Sequence, residues 1–384
     1  MIPVNEPVIG QREVEYVNEC LRTGWISSAG RFIEEFEEKW AAYCGMKYGI
    51  AMSNGSTALQ AAVGCLALEP GFQVIMPSFT IISCAMAVIY NGGTPVLVDC
   101  DPRTWCMDVD CIRQRIEEDV CSGARLIKAI MPVHIYGHPV DMDPVMELAE
   151  KYGLAIIEDA AEVHGAEYLR FRNTAAPQWK RCGGFGHVSA FSFYANKLIT
   201  TGEGGMVLTN DRGLAEKARG LRNLCFRPEQ RFLHTELGQN FRLTNLQAAV
   251  GLGQIERIDE IVARKRWMGQ TYTEFLKNIP ELQLPVELPW AKQVYWMYGV
   301  VLDESTGMDA REFAGKLREK GVDTRPFFLG MHEQPVFHSM GLFVGERYRV
   351  SERIAKQGLY LPSGLTITEP LIDVVADAVK EALS

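Results

Sequence analysis

From residue 48 onward, short apolar runs alternate with helical stretches, and this alternation constrains the chain more than any other feature. Residues 48–52, 73–76, 94–98, 126–132, 154–157 and 188–193 have the length and composition of strands. Helix-like stretches such as 58–67 and 143–152 separate them. Strand and helix in steady succession give a mainly parallel sheet covered on both faces, so the sequence predicts an α/β fold. Ligands on such sheets bind beyond the carboxyl ends of the strands, which directs attention to the residues after each run.

Ahead of the first strand, residues 11–23 read as an amphipathic helix with Val14, Val17 and Leu21 on one face, and 32–43 as a second helix. The intervening loop places Trp25 beside Ser27, Ser28 and Gly30, which fits either a packed corner or a substrate-contacting loop. Past residue 250 the pattern predicts a long helix over 252–279, a strand over 294–302, a helix over 309–320, a strand over 322–325 and a last helix over 369–383. The expected division is a large domain over 1–250 and a smaller α+β domain over 251–384. A chain of 384 residues, 47% of them hydrophobic, can bury both cores.

A net charge of −9 with dispersed basic residues argues against a nucleic-acid surface. Ten cysteines occur without a C-x-x-C pair, so neither a disulfide framework nor a zinc site is signalled. No apolar run is long enough to span a bilayer and the first residues lack a leader pattern, so a cytoplasmic enzyme with no membrane partner is expected.

Three strand ends carry chemistry. After the first, Ser53-Asn-Gly-Ser-Thr57 enters a helix, and small residues at a helix N-terminus suit a phosphate. The same residues also make an ordinary turn and N-cap. After the fifth comes Glu158-Asp159-Ala-Ala-Glu162-Val-His164, where a carboxylate at a buried strand end needs a cation or a donor, unless it only caps a helix. A pyridinium nitrogen would be a suitable partner. His164 reads as a supporting residue. After the sixth comes Lys197, between an apolar strand and the turn Gly202-Glu-Gly-Gly205. Aromatic and apolar neighbours desolvate an ammonium and free its lone pair, which is what a lysine forming a Schiff base requires.

These motifs, with Gly238-Gln-Asn240-Phe-Arg242-Leu-Thr-Asn245, resemble the DegT/DnrJ/EryC1/StrS sugar aminotransferases over nearly the whole chain. The resemblance implies the aspartate-aminotransferase fold and pyridoxal 5′-phosphate (PLP) as cofactor. It implies that Lys197 holds PLP as a Schiff base, Asp159 faces the pyridine nitrogen and Glu162 lies near the ring hydroxyl. Gly55, Ser56 and Ser192 would hold the phosphate, joined by Asn240 from the second subunit of a homodimer. Residues 23–33, Lys128 to His134, Tyr295-Trp-Met-Tyr298 and Arg325-Pro326 are most similar to the GDP-perosamine synthases. That similarity implies transfer of an amino group from L-glutamate to GDP-4-keto-6-deoxymannose, for O-antigen building. Trp25, Ser27, Trp296 and Arg325 are the substrate candidates, each with ordinary packing as the alternative.

Two departures stand out. Relatives carry a ring-stacking aromatic where this chain has Ile81, and strand alternation gives Phe79 no replacement role. Residues 169–182 are longer than the usual turn and read as a surface loop. Other readings are a 4-aminotransferase for UDP- or dTDP-4-keto-6-deoxyglucose, a same-fold sugar dehydratase, or a sensory module. Lys197 argues against the dehydratases, which carry histidine there, and no DNA-binding extension of the kind fused regulators carry is expected.

Overall fold

The computed structural model describes residues 1–227 and 230–384. Nine strands precede residue 210: β1 (Tyr48–Met52), β2 (Gln73–Pro77), β3 (Thr94–Val98), β4 (Ile127–Ile130), β5 (Ala155–Asp159), β6 (Glu167–Arg170), β7 (Gln178–Arg181), β8 (Val188–Ser192) and β9 (Gly205–Thr209). Seven of them form one sheet in the order β1-β9-β8-β5-β4-β2-β3. The pairings β2–β3, β2–β4, β4–β5 and β5–β8 are parallel, whereas β9 runs antiparallel to both β8 and β1. Every residue of β8 and β9 is buried, as expected of strands covered on both faces. The α/β expectation therefore holds, with the antiparallel strand as an addition.

The helices are α1 (Gln11–Thr23), α2 (Arg31–Tyr43), α3 (Gly55–Cys65), α4 (Ser83–Ile89), α5 (Val109–Cys121), α6 (Met142–Tyr152), α7 (Arg212–Arg222), α8 (Asn245–Ile255) and α9 (Ile258–Leu276). In α2, Phe32, Phe36 and Trp40 recur at helical spacing and are fully buried. A second apolar cluster gathers Tyr272 and Leu276 of α9 with Tyr298, Val300, Phe313, Leu361 and Val379. Its strands Tyr298–Leu302 and Gly358–Leu361 pair antiparallel, and the helix Glu369–Leu383 covers them.

Several expectations need correction. The helix predicted over 252–279 is two helices, with Arg257 (φ −120°, ψ 19°) at the break. Residues 169–182 are not a simple loop: they close a hairpin in which Glu167 to Arg170 pairs with Gln178 to Arg181. The predicted strand over 294–302 shortens to Tyr298–Leu302, and the one over 322–325 is displaced to Arg325–Pro326, sharing only Arg325. In α1 the predicted apolar face is split: Val14 and Leu21 are exposed, while Val17 is half-buried against the core. The buried residues are Glu13 and Cys20; Glu13 accepts a hydrogen bond from Gln254 Nε2 and pairs with Arg257 at 3.3 Å. This polar network joins α1 to α8 beside the core packing of Tyr16 and Val17.

Candidate active site

The ends of β1, β5 and β8 open into one cleft of about 640 Å³, lined by Gly55, Ser56, Asp159, Glu162, Ser192 and Lys197 among others. A larger cavity of about 960 Å³ lies between α6 and the β6–β7 hairpin. None of the strand-end groups reaches it, so the chemistry belongs to the smaller cleft.

The phosphate-sized corner is made by α3. Asn54 caps it, accepting from Thr57 N–H at 2.9 Å, while Thr57 Oγ1 accepts from Asn54 N–H at 3.2 Å. The first-turn N–H groups of Gly55 and Ser56 precede any intrahelical acceptor and remain free for an anion. Gly55 cannot carry a side chain, because a Cβ there would stand 2.7 Å from Ser192 Cβ. Ser192 on β8 is thus pressed against the helix start, and the Ser56 and Ser83 hydroxyls share a hydrogen bond of 2.8 Å at the rim.

Strand alternation sends Glu158 and Asp159 to opposite faces of β5. Glu158, fully buried, accepts from the backbone N–H groups of Gly183, Phe185 and Gly186 and from His134 Nε2. It ties down the turn that feeds β8. Burial pushes the Glu158 carboxyl up, yet the His134 and backbone donors override it and hold the group below the usual range. Asp159 faces the cleft. Its side-chain partners are neutral donors, Ala161 N–H to Oδ1 at 3.0 Å and the Cys84 thiol to Oδ2 at 3.1 Å. Burial raises its pKa, against the pull of Ala161, Cys84 and Lys197. A buried acid at a cleft wall with only neutral partners fits a bound cation, and a pyridinium satisfies that need.

Lys197 follows β8 in a turn whose return is made by Gly202, at φ +81°. Its side chain is 10% exposed, with Nζ 3.7 Å from Glu162 Oε1 and 3.6 Å from the centroid of the Trp296 ring. Burial depresses the ammonium, against the attraction of Glu162 and Asp159. The other member of the pair responds in the matching sense: burial pushes Glu162 up to about 7, with Lys197 as the main opposing influence. Burial shifts both groups toward their neutral forms, the direction that makes the Nζ lone pair more available. Glu162 Oε2 is held by Tyr136 N–H at 2.8 Å, from a residue in the left-handed region at φ 51°.

His164 serves as support: its Nε2 bonds the Ser192 carbonyl at 2.8 Å, and burial lowers its pKa to about 3, so the ring stays neutral. Trp296 is at the site, donating Nε1–H to the Asn196 carbonyl at 2.7 Å. Ile81 lines the cleft while Phe79 is fully buried against Tyr136, Phe327 and Phe328. Phe79 does not line the cleft, whose aromatic lining includes Tyr194, Trp296, Phe328 and Tyr360. Trp25, Ser27 and Asn240 are exposed and lie outside the cleft of their own chain. Arg325 is exposed as well, paired with Asp323 at 2.9 Å. Cys84, Ser83, Tyr136, Phe328 and Tyr360 are site residues that sequence reasoning did not find. Of these, Ser83 and Cys84 alone had a local pattern around them, on a short apolar helix that begins three residues past the Ser78-Phe-Thr80 run.

Comparison with known proteins gives the same assignment for the fold. A profile described as the DegT/DnrJ/EryC1/StrS aminotransferase family matches residues 7–380. The chain is 41% identical over 383 residues to a GDP-perosamine synthase of Caulobacter vibrioides, covering 100% of this chain and 98% of that one. It is 36% identical over 384 residues to a GDP-perosamine synthase of Escherichia coli O157:H7, covering 100% and 99%. The crystal structure of S. venezuelae DesV in complex with a ketimine intermediate superposes with a TM-score of 0.86 at 33% identity, covering 97% and 94%.

Proposed function

Because the chain belongs to the DegT/DnrJ/EryC1/StrS aminotransferase family, whose sugar aminotransferases depend on PLP, we propose that it converts GDP-4-keto-6-deoxymannose to GDP-perosamine with L-glutamate as donor. The observation that carries the substrate assignment is end-to-end similarity to two proteins named GDP-perosamine synthase. The cleft supplies the parts such a transfer needs. When bound, PLP provides an aldehyde carbon that takes up the amino group and a ring that draws off an electron pair. Lys197 Nζ, its basicity lowered by burial, would hold that carbon and, when free, would serve as the base that moves the proton at the substrate carbon. Asp159 would keep the ring nitrogen protonated, and the α3 N-terminus with Ser56 and Ser192 would anchor the phosphate. Glu162 would lie near the ring hydroxyl. The donor leaves as 2-oxoglutarate before the keto sugar enters, giving double-displacement kinetics.

Residues 1–250 would carry the cofactor and 251–384 a smaller domain that contributes Trp296 and Tyr360 to the cleft wall. A homodimer completes the site. Val14, Leu21, Trp25, Ile26, Phe232 and Leu237 are exposed apolar residues that a second copy would cover. That copy would bring Asn240 to the phosphate and Trp25 and Ser27 to the sugar. Arg325, beside Tyr360 in the strand register, would meet the diphosphate. No helix among the described residues is long and apolar enough to cross a membrane, and a cytoplasmic role in O-antigen building fits a nucleotide-linked sugar.

Steady-state assays with L-glutamate and GDP-, UDP- and dTDP-linked 4-keto-6-deoxy sugars test the assignment. The highest kcat/KM is expected for the GDP substrate. A higher value for the UDP or dTDP substrate would overturn the perosamine reading and leave the aminotransferase intact.

A further inference from the structure

Asp159 lies on β5, and one of its two oxygens is held by a side chain 75 positions earlier. The Cys84 thiol on α4 donates to Oδ2 at 3.1 Å, while the backbone N–H of Ala161 donates to Oδ1 at 3.0 Å. Each oxygen therefore has one fixed donor from a different element. Rotating the carboxylate about its last side-chain bond breaks both bonds. Cys84 is completely buried, and its Sγ lies 3.7 Å from Oγ1 of Thr80, a residue that lines the cleft. The chain of contacts runs from the cleft wall through the thiol to the acid.

We propose that Cys84 is a positioning residue that locks the Asp159 carboxylate in the rotamer presented to the cofactor's ring nitrogen. This rests on the reading that Asp159 pairs with that nitrogen. A thiol suits the task in two ways. Burial and the neighbouring carboxylate push its own ionisation well above the ordinary thiol range, so it stays a donor at every working pH. It is also a weak donor. It therefore acts on Oδ2 by fixing its position rather than by withdrawing charge, and its loss is felt as a displaced acid with a looser hold on the ring-nitrogen proton.

The test uses the full-length protein stripped of PLP and titrated back with it. The dissociation constant is measured together with the pH midpoint of the visible band of the lysine-bound cofactor. Asp159→Asn serves as the reference, and near-UV circular dichroism confirms folding. Cys84→Ala is expected to weaken PLP binding about fivefold, the equivalent of one lost hydrogen bond. It should also move the midpoint toward higher pH, in the same direction as Asp159→Asn, because a ring nitrogen less firmly protonated disfavours the protonated imine less. Cys84→Ser, which keeps a donor, should stay within about twofold of wild type by the same conversion. Cys84→Val, close in volume and without a donor, should behave as Cys84→Ala and replaces it if the alanine protein does not fold. A wild-type midpoint and affinity in the alanine and valine proteins, with Asp159→Asn shifted, would overturn the role of Cys84, as would a serine protein shifted as far as the alanine one. If Asp159→Asn shifts neither quantity, the pairing of Asp159 with the ring falls, and the lock with it.

Discussion

Glu158→Ala tests how the sheet delivers Lys197. The carboxylate is fully buried and accepts four donors: three backbone N–H groups of the 183–186 turn and the Nε2–H of His134. His134 Nδ1 accepts from Val140 N–H at 2.9 Å, which fixes the tautomer and leaves Nε2 as the donor. Truncation strands all four donors out of water. At about 1–3 kcal/mol for each buried donor left unmade, the loss is about 4 kcal/mol even if every group sits at the low end. That is a large fraction of the roughly 5–15 kcal/mol that holds a typical domain folded. The affected turn leads straight into β8, which carries Ser192 and ends five residues before Lys197, so PLP capture should weaken with stability. Urea unfolding monitored by circular dichroism, with slopes compared to confirm a common transition, gives the stability change. Glu158→Gln keeps an acceptor but sets an amide N–H₂ against donors, and should fall between the two. If Glu158→Ala unfolds within about 1 kcal/mol of wild type, the reasoning that this anchor holds the turn is wrong.

Two further outcomes are expected. Mixing Lys197→Ala with Asn240→Ala subunits should restore one intact site per mixed dimer, measured as turnover above both parents; no recovery would contradict a shared site. In the PLP-free protein, the folded state keeps the Glu162 proton between the ordinary value of 4.5 and about 7 while the unfolded chain releases it. Stability contributed by that proton is therefore lost as pH rises through this window, by up to about 3 kcal/mol. Glu162→Gln should flatten the slope of urea midpoint against pH between 4.5 and 7, and an unchanged slope would contradict it.

The parts of the fold and site that the sequence made legible are those written in local patterns. The strand runs, the Asn54 cap, Glu158-Asp159 and the Gly202-Glu-Gly-Gly205 turn each announce themselves within a few residues. Contacts between distant segments do not. The Cys84–Asp159 bond spans 75 residues, and the Tyr136 backbone reaches Glu162, 26 residues on, from a left-handed conformation that a tyrosine does not advertise. The break between α8 and α9 was hidden because Ile255, Ile258 and Ile261 keep helical spacing across it and no glycine or proline marks it. The exposure of Val14 and Leu21 on α1 could not be read from periodicity, which finds a stripe but not what covers it.

The central claim is that Lys197, desolvated between Glu162 and the Trp296 ring, is the residue that holds PLP. Borohydride reduction of the PLP-loaded protein, followed by peptide mapping, tests it most directly. The account predicts a single modified peptide with the cofactor fixed to Lys197 and loss of the visible band. Cofactor on any other lysine, or on none, would contradict it.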